Sequence, residues 1–565
     1  MRLFTIFLIS GLVAIALLAA GSVRFTDVAA EAGLTDIFYC GRDGSKDYIL
    51  EILGTGVALF DYDRDGYLDA FFTTAGRIEG FPAGKEPSNQ LYHGSKDGKF
   101  SRVTEAAGLT STGWGQAACV GDYDHDGFDD LFVTYFGHNH LYRNTGKGTF
   151  EDVTEAAGLN VRERWSVGCA FLDYNLDGNL DLFVVNYLVF DKNRIPLRGQ
   201  SADCNWRGRP VLCGPRGLPG ETNQLFRNLG GGKFKEVSDE AGISAVKGRY
   251  SLSVTTLDYN EDGWPDIYVA VDSQASILFR NKGNGTFEDV AILAGVAFDE
   301  NGREQAGMGS AAGDFDGDGH LDLAKTNFIE ETSNLYRNNG DGSFDEAIHR
   351  YGLGKIVQYM GWGVGFLDFD NDSWPDLFLV NGHVYPELEG VMKNNPYKQK
   401  RLLYRNINGK RFEDISASAG PAITARHSSR GLALGDYDND GDVDVFITNE
   451  NEPPSLLRND TTAMGGFLSV QLIGVKSNTD GIGARVTVTA GGRRMVQEVR
   501  SGSSFMSHND MRLHFGLGSA KIVDKIEVRW PYPHLVDTVT NVEPNQFITI
   551  TESSGITKRR NVKNH

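Results

Sequence analysis

Nine residues recur seven times in this chain, and their chemistry limits what the chain can become. The first copy is DYDRDGYLD, with oxygen-bearing side chains Asp61, Asp63, Asp65 and Asp69 at positions 1, 3, 5 and 9. The second places Asp122, Asp124, Asp126 and Asp130 there, and the third Asp173, Asn175, Asp177 and Asp181. The fourth has Asp258, Asn260, Asp262 and Asp266; the fifth Asp314, Asp316, Asp318 and Asp322. The sixth has Asp368, Asp370, Asp372 and Asp376, and the seventh Asp436, Asp438, Asp440 and Asp444. Position 6 is glycine in every copy except the sixth, which has Ser373. Oxygens packed this closely repel one another unless a hard cation sits among them, and Ca2+, taking six to eight oxygens, fits best.

An EF-hand would need glutamate at position 12. These copies have Phe72, Val133, Val184, Val269, Lys325, Leu379 and Ile447, followed by β-branched and aromatic runs such as LFVVN and VFITN. The acidic stretch therefore joins two strands and leads into no helix. Each copy is preceded by a Gly/Ala/Val-rich run (GQAACVG, RGLALG). A later segment carries L-[YFL]-[RH]-[NG], and a fourth is of the type FEDVTEAAGL. Four β-prone segments in units of about sixty residues predict an all-β, seven-bladed β-propeller with four-stranded blades.

The count of segments also predicts how the ring closes. Phenylalanine-led segments start at Phe25, Phe100, Phe150, Phe234, Phe287, Phe344 and Phe412, so the first precedes every loop and none follows Leu456. The segment at Phe25 is expected to complete the last blade and remove an exposed edge. The propeller is expected over 23–460, with an insertion at about 189–220 in the longest interval, 85 residues from Asp173 to Asp258. From 466 to 552 alternating strands without acidic loops predict a separate small β domain, and 553–565 reads as a disordered basic tail.

Charge and cysteines narrow the setting. A net charge of −20 argues against nucleic acid, and 26 of the 75 acidic residues stand at ligand positions. Seven divalent ions, up to one per blade, would bring −20 to −6. Residues 1–22 have the charged start, apolar run and small-residue end of a secretory signal, which places the chain in the periplasm, on the cell surface or outside the cell. Uncleaved, the same run would anchor the chain to a membrane. In an oxidising compartment Cys204 and Cys213 are expected to pair, while Cys119 and Cys169 read as buried free thiols.

The repeats resemble FG-GAP/VCBS repeats, whose DxDxDGxxD loops bind calcium at the base of integrin-type propellers. GIGARV at Gly481, RSGSSFMSHND, HFGLG at His514 and VRWPY at Val528 look like an ASPIC/UnbV domain. The combination is similar to secreted proteins of the cartilage acidic protein/ASPIC family, as are CGPRGLPG at Cys213 and NGHVYP at Asn381. That resemblance implies calcium binding and extracellular interaction, without an established catalytic activity. Asn175, Asn260 and Ser373 depart from the strict motif and imply weaker third, fourth and sixth sites.

Two functions are compatible with these features. The leading one is a non-catalytic recognition or adhesion module for an extracellular protein or glycan. The other is a polysaccharide-active enzyme with its site at the axial mouth. Trp114, Trp165, Tyr250 and Trp362 lead into first strands, and His383 follows a β run. They serve either as packing between blades or as a ligand face opposite the acidic loops. No motif for a catalytic triad, zinc site or phosphate loop accompanies them.

Overall fold

The computed structural model describes residues 22–562, apart from 355 and 463, so all but the last residue of the expected signal lies outside it. The repeats form seven four-stranded antiparallel sheets in ring order; Arg164 and Trp165 pair with Gly137 and Phe136 to join the second to the third. In the first blade the strands are Val57–Phe60, Asp69–Phe72, Gln90–Gly94 and Phe100–Arg102. Second strands are buried along their whole length, except for the last two residues of Asp130–Gly137 in blade two, because both faces pack against neighbouring blades. That burial explains their continuous apolar runs. Fourth strands are only three residues long and mostly charged outside the phenylalanine, a short edge that resists further pairing.

The N-terminal strand Phe25–Asp27 completes the seventh blade, pairing antiparallel with Ser455–Asn459 in the register Phe25↔Asn459, Thr26↔Arg458 and Asp27↔Leu457. Apolar clusters fill the spaces between blades. Phe60 and Phe71 meet Val120 and Leu131, Leu257 and Tyr268 meet Leu323 and Tyr336, and Phe72 meets Ala433 and Phe446 across the closure.

A repeated glycine sets the blade spacing. The phenylalanine-led segment is a strand only for three residues; TEAA then makes one helical turn, ended by a left-handed glycine such as Gly108 or Gly158. Each such glycine lies against the phenylalanine carbonyl of the next blade. Gly33 faces Phe100, and the series runs through Gly108, Gly158, Gly242, Gly295 and Gly352 to Gly420, which faces Phe25. A Cβ would come within 2.5–3.2 Å of these oxygens, and φ lies between 81° and 102° throughout, so only glycine fits.

The C-terminal domain packs two four-stranded sheets around Leu468, Val486, Val528, Trp530 and Ile548. Its last strand is Gly555–Asn561, paired with Gln546–Thr551, which corrects the expectation of a disordered tail from 553. Cys204 and Cys213 are disulfide-bonded. Cys119 and Cys169, expected as free thiols, are bonded to each other. The ring brings the first strands of blades two and three side by side near the axis, which pairs residues 50 apart in sequence. Cys40 is the buried free cysteine.

Candidate metal centre

Each acidic loop is folded by its own carboxylates. Position 1 accepts backbone N–H groups from positions 5 and 6: Asp61 takes Asp65 N at 3.0 Å and Gly66 N at 2.9 Å, and Asp122, Asp173 and Asp436 repeat this. Position 5 caps the N–H of position 7, as Asp65 does for Tyr67 at 2.9 Å. Such a tight turn needs a left-handed residue at position 6. The glycines there have φ near 90°, and Ser373 adopts 79°.

Position 9 has a second duty. Asp130 Oδ2 accepts Tyr123 N at 3.2 Å and Oδ1 accepts Asn144 N at 2.7 Å, so it ties the loop to the third strand. The same pair of bonds occurs at Asp69, Asp181, Asp266, Asp322, Asp376 and Asp444. These aspartates are therefore loop staples as well as candidate ligands.

The carboxylates converge. Oxygens of Asp61, Asp63 and Asp69 lie within 4.8 Å of one another, as do those of Asp122/Asp124/Asp130, Asp314/Asp316/Asp322 and Asp368/Asp370/Asp372. Burial, together with the neighbouring carboxylates, pushes Asp61 up to about 6 and Asp314 up to about 7. Burial also raises Asp173 to about 7 and holds Asp130, Asp181 and Asp322 well above the ordinary range. Buried Oδ1 atoms of Asp258 and Asp370 have no hydrogen-bond partner among the described residues. Crowded, dehydrated oxygens of this kind fit a hard divalent cation, which would restore their charge.

The copies are not equivalent. His93 Nε2 stands 3.1 Å from Asp63 and 3.4 Å from Asp65. Arg337 pairs with Asp316 and Asp318, and Arg405 with Asp370. In the third and fourth loops, Asn175 and Asn260 donate to Asp177 and Asp262, both at 2.9 Å.

Two further sets of residues complete the centre. The asparagine ending the L-Y-R-N segment donates to the position-2 carbonyl of the preceding blade: Asn144 to Tyr62 at 2.8 Å, Asn228 to Tyr123 at 2.9 Å and Asn281 to Tyr174 at 2.7 Å. Asn338, Asn406 and Asn459 continue the series at 2.8 Å each. Blade one has Gly94 at this place, so the closure between blades seven and one lacks that bond. The recurring asparagine was visible in the sequence, but its partner lies a whole repeat away.

The C-terminal domain covers the loop face. Arg560 reaches Gly66 O, Asp480 accepts Asp122 N at 2.7 Å, and Lys476 O lies against Gly178. Arg529 binds Asp258 at 2.9 Å, Arg485 binds Glu261 and Gly319 O, His514 meets Asn371 at 2.6 Å, and Arg512 binds Asp436 O at 2.8 Å. All seven loops are touched. From the same side the 501–508 segment enters the axis. Ser501 Oγ donates to Val120 O, Gly502 packs on Cys169, and Phe505 meets Trp362 with ring centroids 4.8 Å apart.

The opposite mouth is also filled. Trp165, Tyr250, Trp362 and His383 are buried, and only Trp114 is half-exposed, so the aromatics pack the interior and form no open ligand face. The insertion covers them. Trp206 stands 5.8 Å from His383 and 5.5 Å from Phe328, Phe190 packs on Trp165, and Tyr250 donates to Leu218 O. Burial, ahead of the nearby Arg430 and Arg207, lowers His383 to about 3, which leaves it neutral.

Two family descriptions match this chain: "FG-GAP-like repeat" over 61–133, 122–184, 211–269 and 258–324, and "ASPIC and UnbV" over 474–557. Among curated proteins, cartilage acidic protein 1 of Homo sapiens is 26% identical over 326 residues, covering 56% of this chain and 46% of that protein. The Mus musculus protein is 24% identical over 397 residues, covering 68% and 54%. The chain thus spans about half the length of the curated relatives it matches. Among solved structures, an Agrocybe aegerita lectin that recognises non-reducing terminal N-acetylglucosamine superposes with TM-score 0.40 and 15% identity, over 72% of this chain and 94% of that one. The BP39L lectin of Burkholderia pseudomallei gives 0.42 and 10%, over 73% and 98%.

Proposed function

From a chain built of FG-GAP-like repeats and a C-terminal ASPIC and UnbV domain, we propose an exported, calcium-braced scaffold that recognises an extracellular protein or glycan without catalysing a reaction. The observation that carries this reading is the roof over the loops. Seven acidic loops lie between two domains, with carboxylates converging in at least four of them, and cations seated there would tie the blades to the covering domain. Asp61, Asp63, Asp65 and Asp69 and their counterparts would hold the ions, position 9 also fixing the loop to the third strand. Bound calcium would neutralise the cluster and stiffen the loop. Short loops between strands offer no second arrangement to switch into, so the metal acts as a brace and not as a sensor.

Export is part of the proposal. Two disulfides suit an oxidising compartment, as does the signal-like start of the sequence. N-terminal sequencing of the mature protein, recovered from outside the cytosol, tests it. No helix among the described residues is long and apolar enough to cross a membrane.

Calcium binding is tested by equilibrium dialysis and thermal melting of the full chain. Several ions per chain and a clear fall in melting temperature on chelation are expected. Identical melting curves in calcium and in chelator would sink the brace. With the axis filled from both ends, recognition falls to the outer surfaces of the insertion and the C-terminal domain.

A further inference from the structure

Blade one differs from the others at one position beside its acidic loop. The third strand of every other blade carries an arginine in the L-[YFL]-R-N segment: Arg143, Arg227, Arg280, Arg337, Arg405 and Arg458. Blade one carries His93 there, in the strand Gln90–Gly94. The two side chains differ in kind. A guanidinium stays protonated and has no lone pair to give, so it can only stand in for a cation, as Arg337 does at Asp316 and Arg405 at Asp370. A neutral imidazole can bind one.

The surroundings turn His93 onto the loop. In blades two and four the arginine faces a glutamate across the strands and pairs with it, Arg143 with Glu151 and Arg280 with Glu288. His93 faces Ser101, so no carboxylate on the fourth strand draws it away. Its ring stands edge-on to Tyr62, with centroids 6.2 Å apart, and brings Nε2 to 3.1 Å from Asp63 Oδ2 and 3.4 Å from Asp65 Oδ2. The loop leaves those two oxygens to the ring, because it uses the others: Asp63 Oδ1 accepts Asp65 N at 3.3 Å, and Asp65 Oδ1 accepts Tyr67 N at 2.9 Å. Asp61 and Asp69 are held by backbone N–H groups of the loop and the third strand.

We propose that the first loop is a zinc site, in which Asp63 Oδ2, Asp65 Oδ2 and His93 Nε2 hold Zn2+ in preference to Ca2+. One atom from each of these residues lies within 4.8 Å of the other two. Zn2+, bonded to nitrogen and oxygen at about 2.0–2.1 Å, keeps tetrahedral ligands about 3.3–3.4 Å apart. The 3.1 and 3.4 Å from Nε2 to the two oxygens match that spacing. Calcium takes oxygen ligands, so an imidazole among them selects against it and for a d-block ion. The side chains of His93, Asp63 and Asp65 are 27%, 28% and 36% exposed, which leaves the fourth position to water. The inference rests on the reading of the loops as metal sites and gives the first of them a different ion.

The test is calorimetric titration of Zn2+ into the full chain, free of any histidine tag, in an excess of Ca2+. One saturable zinc per chain is expected, and Co2+ in its place should give the visible absorption of a tetrahedral, nitrogen-ligated ion. Losing a group merely behind a metal ligand costs about 10–100-fold in affinity, so H93N, its melting temperature unchanged, should bind zinc about a hundredfold or more weakly. No saturable zinc in calcium excess overturns the proposal, and a histidine that serves only as an ion pair to the two aspartates predicts that result. So does an H93N variant that binds like the parent, or zinc shared equally among several loops. The Co2+ spectrum of the parent needs no variant, and a purely octahedral, oxygen-ligated spectrum also rejects the site. Melting the same samples with and without calcium separates the outcomes. An intact calcium shift without zinc binding rejects this site alone, while a missing calcium shift rejects the brace.

Discussion

Glu450 lies wholly buried between two cations. Its Oε1 takes Lys46 Nζ at 2.8 Å, and its Oε2 takes Arg430 at 2.8 Å, Tyr397 OH at 2.7 Å and Ser428 Oγ at 3.0 Å. Burial works against the Lys46 charge, yet the adjacent Glu450 raises its pKa. Lys46 belongs to the N-terminal segment and Glu450 directly follows the second strand of the seventh blade, Asp444–Asn449, so this pair clasps the ring a second time, on the face away from the loops. Glu450→Gln keeps the shape but leaves two buried cations with half their partner. We expect a loss of about 3–5 kcal/mol in urea unfolding, and a loss below about 1 kcal/mol would show that the clasp is solvated. Ser373 predicts the opposite sign. Its φ of 79° is one that L-residues avoid, and Ser373→Gly should raise stability by about 0.5–1 kcal/mol in the same measurement. The glycine at position 6 announced this turn in the sequence. The Lys46–Glu450 pair, separated by 404 residues, left no local signal.

Periodicity made the elements legible, including their number and the strand at Phe25, because a blade repeats both its strands and its edge. Contacts between repeats were not legible. Asn338 illustrates why: its Nδ2 donates to Tyr259 O of the preceding blade at 2.8 Å and to Leu321 O at 3.0 Å, and its Oδ1 accepts Gly340 N at 3.0 Å. A one-dimensional pattern shows that the asparagine recurs but not that it reaches across an interface. Asn338→Ala should cost about 2–3 kcal/mol, since it strands buried carbonyls and an N–H. The measurement is a thermal melt with calcium present, and an unchanged melting temperature would remove the staple from the account. The Cys119–Cys169 bond went unread for the same reason, as it also joins neighbouring blades. The aromatic ring was misplaced because strand starts alone do not reveal that the insertion and the 501–508 segment fill the axis from opposite ends.

The whole molecule should respond to acid in two opposite ways, depending on its metal. Without metal, burial raises the loop carboxylates: Asp122, Asp173, Asp258 and Asp314 to about 7, and Asp372 to about 6, from an ordinary 3.8. Groups raised on folding favour the folded state below their unfolded pKa, and that support disappears as pH rises through 6 to 7. Metal-stripped protein should therefore become more stable as pH falls from 8 to about 6. Buried histidines oppose this. Burial lowers His383 and His508 to about 3 and His514 to about 4, so the unfolded chain takes up their protons first and stability falls below about 6.5. The raised carboxylates outnumber the histidines, and their titration begins at higher pH, so they dominate between 8 and about 6. Calcium reverses the dependence, because protons compete for its ligands and acid weakens the brace. The melting-temperature gain from calcium should thus be largest near pH 8 and shrink steadily toward pH 5. Scanning calorimetry of metal-stripped and calcium-loaded protein across that range measures it. A calcium gain equal at pH 5 and pH 8 would mean that the carboxylates between the two domains are not the ligands.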